Sequence, residues 1–383
     1  MRNPIYLDHN ATTPVDPRVL DCMLPFFTQH FGNAASRTHA FGWVAAEAVK
    51  VGRTQVARLI EAEEQEIIFT SGATEAINLG MKGVYQKYHQ KGRHIITAST
   101  EHKAVLDTCV ALERAGAEIT ILPVDPGGHL DLDDLAKAIR PDTILVSIMQ
   151  ANNETGVIHP TDQIARIVHE RGSLYFCDAT QAAGKIGINV KENPIALLAM
   201  SSHKLYGPKG AGALFVRRKD PRVGLLAQID GGGHERGLRS GTLNVPGIVG
   251  FGKAAELAKA EMWNDGVIQS KLRTRLEQYL LDLGQVYING NTRDRLPNTT
   301  NLSILGIRAD ELIVALKDIA FSAGSACTSA LPEPSHVLQA MHVSTAMALG
   351  SVRFSLGRGN TEEEIDYTIK QTTEAVNHLR AQA

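Results

Sequence analysis

The sequence predicts an α/β protein in which a mostly parallel sheet lies between helices, followed by a smaller α+β domain. Three observations carry that expectation. Between residues 66 and 216, short apolar and β-branched runs alternate with amphipathic stretches, the pattern of strand–helix–strand units. Those runs hold apolar residues at consecutive positions, as strands covered on both faces should. After Gly250 the texture changes to a long charge-laced helical stretch, then short strands interleaved with helices.

Each element has its own signal. Strands are expected at 66–70, 94–98, 118–122, 143–149, 174–178, 197–201 and 213–216, all rich in Ile, Val, Leu or Phe. Helices are expected between them at 74–89, 103–115, 132–139 and 161–171, where apolar residues recur at three- and four-residue spacing. Residues 253–283 read as one long helix with Gly266 as a candidate break. Short strands follow around 286–289 and 301–304, then a helix at 310–316, a strand at 352–355 and a closing helix at 361–379. A domain edge is expected between 250 and 260, and no internal repeat interrupts the chain.

Composition narrows the function classes. A chain of 383 residues with 43% hydrophobic content can bury a core without disulfide or metal staples. Lys and Arg number 39 against 41 Asp and Glu, which removes the general electrostatic case for nucleic-acid binding. The opening Met1–His9 lacks the apolar core of a secretory signal, and no run approaches the length of a membrane span. Cys22, Cys109, Cys177 and Cys327 are scattered with no CxxC, which argues against a zinc site and fits a reducing cytoplasm. Weak motifs also fall away. Gly250-Phe-Gly-Lys-Ala-Ala255 fits a relaxed dinucleotide fingerprint but lacks a preceding strand, and Ser201-Ser-His-Lys204 fits SxxK without its companion motifs.

A more telling set lies at the ends of the predicted strands. Ile67-Ile-Phe-Thr-Ser-Gly-Ala-Thr-Glu75 runs from a strand through small residues into a helix, offering backbone N–H groups and hydroxyls to a phosphate, or simply capping the helix. Leu174-Tyr-Phe-Cys-Asp178 ends on an acid at the crevice where open α/β sheets bind ligands; Asp178 either pairs with a protonated ring nitrogen or caps the next segment. Lys204 follows the end of the 197–201 strand, as a surface charge or as an amine sheltered for Schiff-base chemistry. An acid, a lysine and a phosphate cup at neighbouring strand ends are three of the parts pyridoxal phosphate needs. Cys327 sits among Ser, Ala, Gly and Thr, a composition for an exposed reactive thiol; Cys22, Cys109 and Cys177 read as structural. Arg353 lies inside a short predicted strand, where its guanidinium could grip a carboxylate or make a structural ion pair.

These blocks resemble the cysteine desulfurases of NifS/IscS type, within the class-V aminotransferases. The resemblance runs through Tyr6-Leu-Asp8 with Ala11-Thr-Thr-Pro14, Phe31-Gly-Asn33, Thr70–Glu75, Thr100-Glu-His102, Asn152-Asn153-Glu154-Thr-Gly156 and Asp178-Ala-Thr-Gln181. It continues through Ser201–Lys204, Gly231–Arg236 with Arg239-Ser-Gly-Thr242, Ser325-Ala-Cys327-Thr-Ser329 and Arg353–Arg358. It implies the fold type I of pyridoxal-phosphate enzymes, with a seven-stranded sheet. It divides the chain into an arm at 1–15, a large domain at 16–255 and a small domain at 256–383 that carries a reactive-cysteine loop at 321–335.

By resemblance, Lys204 forms the Schiff base with pyridoxal phosphate, Asp178 holds the ring nitrogen protonated, and His102 stacks on the ring and serves as an acid–base. Gln181 and Asn153 approach the ring hydroxyl, Asn153 also nearing the substrate carboxylate, while Ala73, Thr74, Ser201 and His203 bind the phosphate. Thr242 reaches that phosphate from the second subunit of a homodimer, Arg353 grips the α-carboxylate of L-cysteine, and Cys327 accepts the sulfur as a persulfide. The expected partners are an iron–sulfur scaffold protein or another sulfur acceptor, with no nucleic acid, no membrane and no intrinsic metal; the Cys327 persulfide would meet at most a scaffold-bound cluster. Departures from the family pattern are Ser202 for glycine, Ala34 for proline and Ala323 for serine, and the sequence stops at Ala383 where relatives commonly carry a scaffold-docking tail. Competing readings are a selenocysteine lyase or aminotransferase on the same fold, or a non-catalytic sulfur-relay or scaffold-binding protein.

Overall fold

A computed structural model of the chain describes residues 4–323 and 334–382. The strands in chain order are β1 (Ile5–Tyr6), β2 (Ile67–Thr70), β3 (His94–Ala98), β4 (Glu118–Leu122), β5 (Thr143–Ser147), β6 (Leu174–Asp178), β7 (Leu197–Ser201) and β8 (Gly212–Val216). They continue with β9 (Val286–Ile288), β10 (Thr299–Ile304), β11 (Ile319–Ala320), β12 (Ser322–Ala323) and β13 (Ser351–Ser355). Seven of them form the large sheet in the order β2-β8-β7-β6-β5-β3-β4. All its pairings are parallel except the two made by β8, which runs antiparallel to β2 and β7.

Period-two alternation splits the strand side chains between two cores. Tyr175 and Cys177 of β6 enter one, with Phe69, Phe215 and the helices Ala40–Leu59 and Val245–Leu281. Phe176 enters the other, with the helices Ala73–Tyr88 and Lys103–Arg114. A third core lies against the four-stranded antiparallel sheet β12-β13-β10-β9 and gathers Leu272, Leu276, Leu302, Val352, Phe354 and Ile365. The N-terminal β1 pairs with β11, which ties the start of the chain to this region.

Two expectations need correction. The strand predicted through Met149 ends at Ser147, and the Met149 N–H turns to the Glu101 carboxyl at 2.7 Å instead of continuing the ladder. The break expected at Gly266 is absent: one helix of 37 residues runs from Val245 to Leu281, with the Gly266 backbone against the Pro297 ring. Its first part packs in the core under the large sheet and its last turns in the core of the small one. Gly250 and Gly252 lie within it. A Cβ on Gly252 would come within 2.5 Å of the Gly52 Cα, so this fingerprint-like glycine serves a close helix crossing, while Gly250 leaves room for the Met23 side chain.

Candidate active site

The carboxyl ends of β2, β6 and β7 open onto a cavity of about 1010 Å³. At one end, β2 leads through Ser71 and Gly72 into the helix Ala73–Tyr88, whose Gly72 cap offers no side chain to the first N–H groups. Those donors therefore remain for a ligand. The close approach explains the glycines here, since a Cβ on Gly212 would stand 2.5 Å from the Gly72 Cα. Thr74, Ser201 and His203 line the same end. His203 meets the Thr12 hydroxyl at 3.1 Å, and burial next to Lys204 pushes its pKa down to about 4, so it is neutral at physiological pH. Glu75 accepts the Ser71 N–H at 2.8 Å and pairs with Arg239 at 2.8 Å, which holds the turn in place.

Asp178 closes β6, is buried, and accepts the Thr180 N–H at 2.9 Å. Lys204 follows β7 in a short 3₁₀ turn, and its Nζ donates to the carbonyls of Asn10 at 2.6 Å and Ala11 at 2.8 Å. Burial, with the Arg353 charge adding to it, lowers the amine to about 8, so a useful share is neutral near physiological pH. His102 caps the helix Lys103–Arg114, accepting the Ala104 N–H on Nδ1 at 3.1 Å, and borders the cavity.

The opposite wall comes from the four-stranded sheet. Arg353 of β13 enters the cavity, donating to Asp8 at 2.6 Å and to the Asn153 carbonyl at 2.9 Å, while its Nε stays buried without a partner. A guanidinium lining a cavity can take a carboxylate by paired hydrogen bonds. Beside it lies Glu154, which accepts the Ser335 hydroxyl at 2.5 Å and is raised to about 7 chiefly by burial.

Ala73, Thr74, His102, Asn153, Asp178, Gln181, Ser201, His203, Lys204 and Arg353 thus line one cavity. Thr242 does not; it is exposed and outside the cavity of the single chain. Cys327 lies outside the described residues. Cys109 and Cys177 are buried among apolar side chains, which pushes both thiols up, Cys109 to about 12. Sequence reasoning missed Asp8, Asn10 and Glu154 as site residues. Asn10 and Asp8 act through a carbonyl and an ion pair that exist only once the N-terminal segment meets the sheets, though Asp8 belongs to the N-terminal block that carries the resemblance and Asn10 lies next to it.

Comparison with known proteins decides the family. The class-V aminotransferase family model matches residues 5–368. The chain belongs to the class-V aminotransferases. Within that family it is 55% identical to a protein named cysteine desulfurase IscS from Anaeromyxobacter sp. (strain Fw109-5), over 99% of this chain and 94% of that one. A solved NifS-like protein superposes with a TM-score of 0.92 at 40% identity, covering 98% of this chain and all of the other. A structure described as SspA in complex with cysteine gives 0.81 at 35% identity, covering 92% and 98%.

Class-V aminotransferases are enzymes that use pyridoxal 5'-phosphate, and the cavity suits that group. An uncapped helix N-terminus with Thr74 and Ser201 hydroxyls fits a phosphate, a buried carboxylate at a strand end fits a pyridinium, and a lysine at about 8 fits a carbonyl. Among the described residues no helix is long and apolar enough to cross a membrane, and no cluster of His, Cys, Asp or Glu could hold a metal ion.

Proposed function

We propose that this chain is a cysteine desulfurase, converting L-cysteine to L-alanine and passing the sulfur to Cys327 as a persulfide. What supports the reading most is the meeting, in one cavity, of a near-neutral lysine, a buried strand-end carboxylate, an uncapped helix terminus and an arginine with an unpartnered N–H. The 55% identity to a protein named for that activity points the same way.

Bound pyridoxal phosphate supplies an electron sink that weakens the bonds at the α-carbon of a joined amino acid. Ala73, Thr74, Ser201 and His203 hold its phosphate, with Thr242 of a second subunit added in a homodimer. Asp178 keeps the ring nitrogen protonated, His102 stacks on the ring, and Gln181 and Asn153 approach the ring oxygen. Arg353 takes the substrate α-carboxylate on its free edge, with Asp8 and the Asn153 carbonyl fixing the guanidinium plane. Lys204 in its neutral form removes the α-proton, as a base matched to neutral pH should. The Cys327 thiolate attacks the substrate sulfur; the S–S bond forms as the Cβ–S bond breaks, and Cβ takes up a proton on the way to alanine.

In this reading residues 16–255 form the cofactor domain and 256–383 the smaller one, the enzyme works in the cytoplasm, and the persulfide goes to iron–sulfur assembly or other acceptors. The test is alanine and sulfide release from L-cysteine with added thiol, run on wild type and Cys327→Ala. Loss of both products with the yellow cofactor colour retained is expected. Activity that survives the substitution would overturn the persulfide route.

A further inference from the structure

The cavity has a second lysine behind it. Lys185 does not line the cavity; it borders a small void on the far side of Lys204, together with Thr13, Tyr206 and Asn298. Its Nζ donates to the Gln181 carbonyl at 3.0 Å and to the Gln181 side-chain oxygen at 3.2 Å. The amide of Gln181, itself buried, donates from Nε2 to the Asn10 carbonyl at 2.9 Å. We infer that Lys185 is a positioning residue: it clamps the Gln181 amide from behind, so that Gln181 meets a cavity ligand with an N–H and not with its oxygen.

The chemistry of the three partners fixes that orientation. The ammonium form of Lys185 has only hydrogens to offer toward a side-chain amide, and a backbone carbonyl has only lone pairs. With the amine on one side and the carbonyl on the other, just one of the two amide orientations satisfies both. Nε2 then has one hydrogen left for a ligand. Turned over, the amide would set its oxygen against the Asn10 carbonyl and its NH₂ against the amine. The Asn10 carbonyl, which also receives Lys204 at 2.6 Å, and Lys185 hold the amide from its two ends. Burial and the neighbouring Lys204 and Arg353 charges hold the Lys185 amine down to about 7; the neutral form keeps the two hydrogens that its bonds to Gln181 use, and the Asn10 carbonyl still opposes the oxygen of a turned-over amide.

The inference rests on the reading of Gln181 as the partner of the cofactor's ring oxygen, and one experiment separates the two. Pyridoxal phosphate is titrated by absorbance into the stripped full-length chain as wild type, Lys185→Met, Gln181→Ala and the double variant, with thermal melts to verify folding. Lys185→Met is expected to weaken cofactor affinity by roughly tenfold, the worth of one hydrogen bond to a charged group, and to move the absorption maximum. The double variant is expected to match Gln181→Ala alone, since the lysine acts through that amide. Losses that multiply in the double variant would overturn the inference, as would a Lys185→Met protein that binds and absorbs like wild type. If Lys185→Met does not fold, Lys185→Leu, which also removes the donor, replaces it in the same cycle. A wild-type chain that develops no cofactor band would sink the functional reading itself before any variant is compared.

Discussion

Two buried polar regions of this molecule, one strand apart, are built on opposite terms. In the four-stranded sheet, Asn289 donates to Asn301 at 2.8 Å, to Ser303 at 2.8 Å and to Ser351 at 3.2 Å, while Ser303 and Ser351 meet at 2.7 Å. Every member is neutral and almost fully buried. In the cavity ionisable side chains gather, Lys204 and His203 are held below their ordinary pKa values, and Arg353 Nε has no partner. Ser351 and Arg353 share a face of β13, so one strand serves both regions. A closed neutral network stabilises the wall; the open charged one is destabilising until a ligand completes it.

That contrast can be broken in graded steps. Lys204→Ala should lower alanine formation by roughly 10³-fold or more without lowering the melting temperature, as expected when a base is lost and an uncomfortable amine is removed. A melting temperature that falls sharply would put Lys204 among the structural groups. Arg353→Lys retains the charge but loses the fork, and KM for L-cysteine should rise by about tenfold to a hundredfold with a smaller change in kcat. Equal losses in both constants would remove Arg353 from substrate binding. For the neutral network the signature reverses: Asn289→Ala should cost about 2 kcal/mol in denaturant unfolding and leave kcat/KM unchanged. Altered kinetics there would mean the wall is part of the site.

The smallest effect concerns Glu154, which lies between the two regions. Its carboxyl has an ordinary value of 4.5 and is held at about 7 in the folded chain. Between those values the folded chain keeps a proton that the unfolded chain has released, so stability declines as pH rises through the window. Glu154→Gln should flatten that decline, seen as a melting-temperature difference on the order of 2 °C across the window. An unchanged slope would mean that Glu154 is ionised throughout.

The large sheet was legible in the sequence almost residue for residue, because a strand covered on both faces writes itself as an unbroken apolar run; Leu197–Ser201 and Leu174–Asp178 appear as read. The helix Ala40–Leu59 was not. Its apolar stripe is mixed with exposed Phe41, Trp43, Val44 and Val51, and its close approach to the helix Val245–Leu281 is made at Gly52, which has no side chain to announce it. The cavity followed the same division. Lys204 and Asp178 could be found because one follows and the other closes a predicted strand. The carbonyl of Asn10, which receives both Lys204 and Gln181, is a feature of the backbone and has no residue type of its own. Two-residue strands such as β11 and β12 are likewise decided by their neighbours and not by local propensity.

The unbroken helix from Val245 to Leu281 has a consequence for how such a chain can vary. Rising 1.5 Å and turning 100° per residue, it is a gauge about 55 Å long that fixes the spacing and the angle between the two ends it joins. One residue inserted at its middle would swing everything beyond by more than a quarter turn and carry the Arg353 wall away from Lys204. The loops of this protein can lengthen at little cost; this helix can change its letters but not their number.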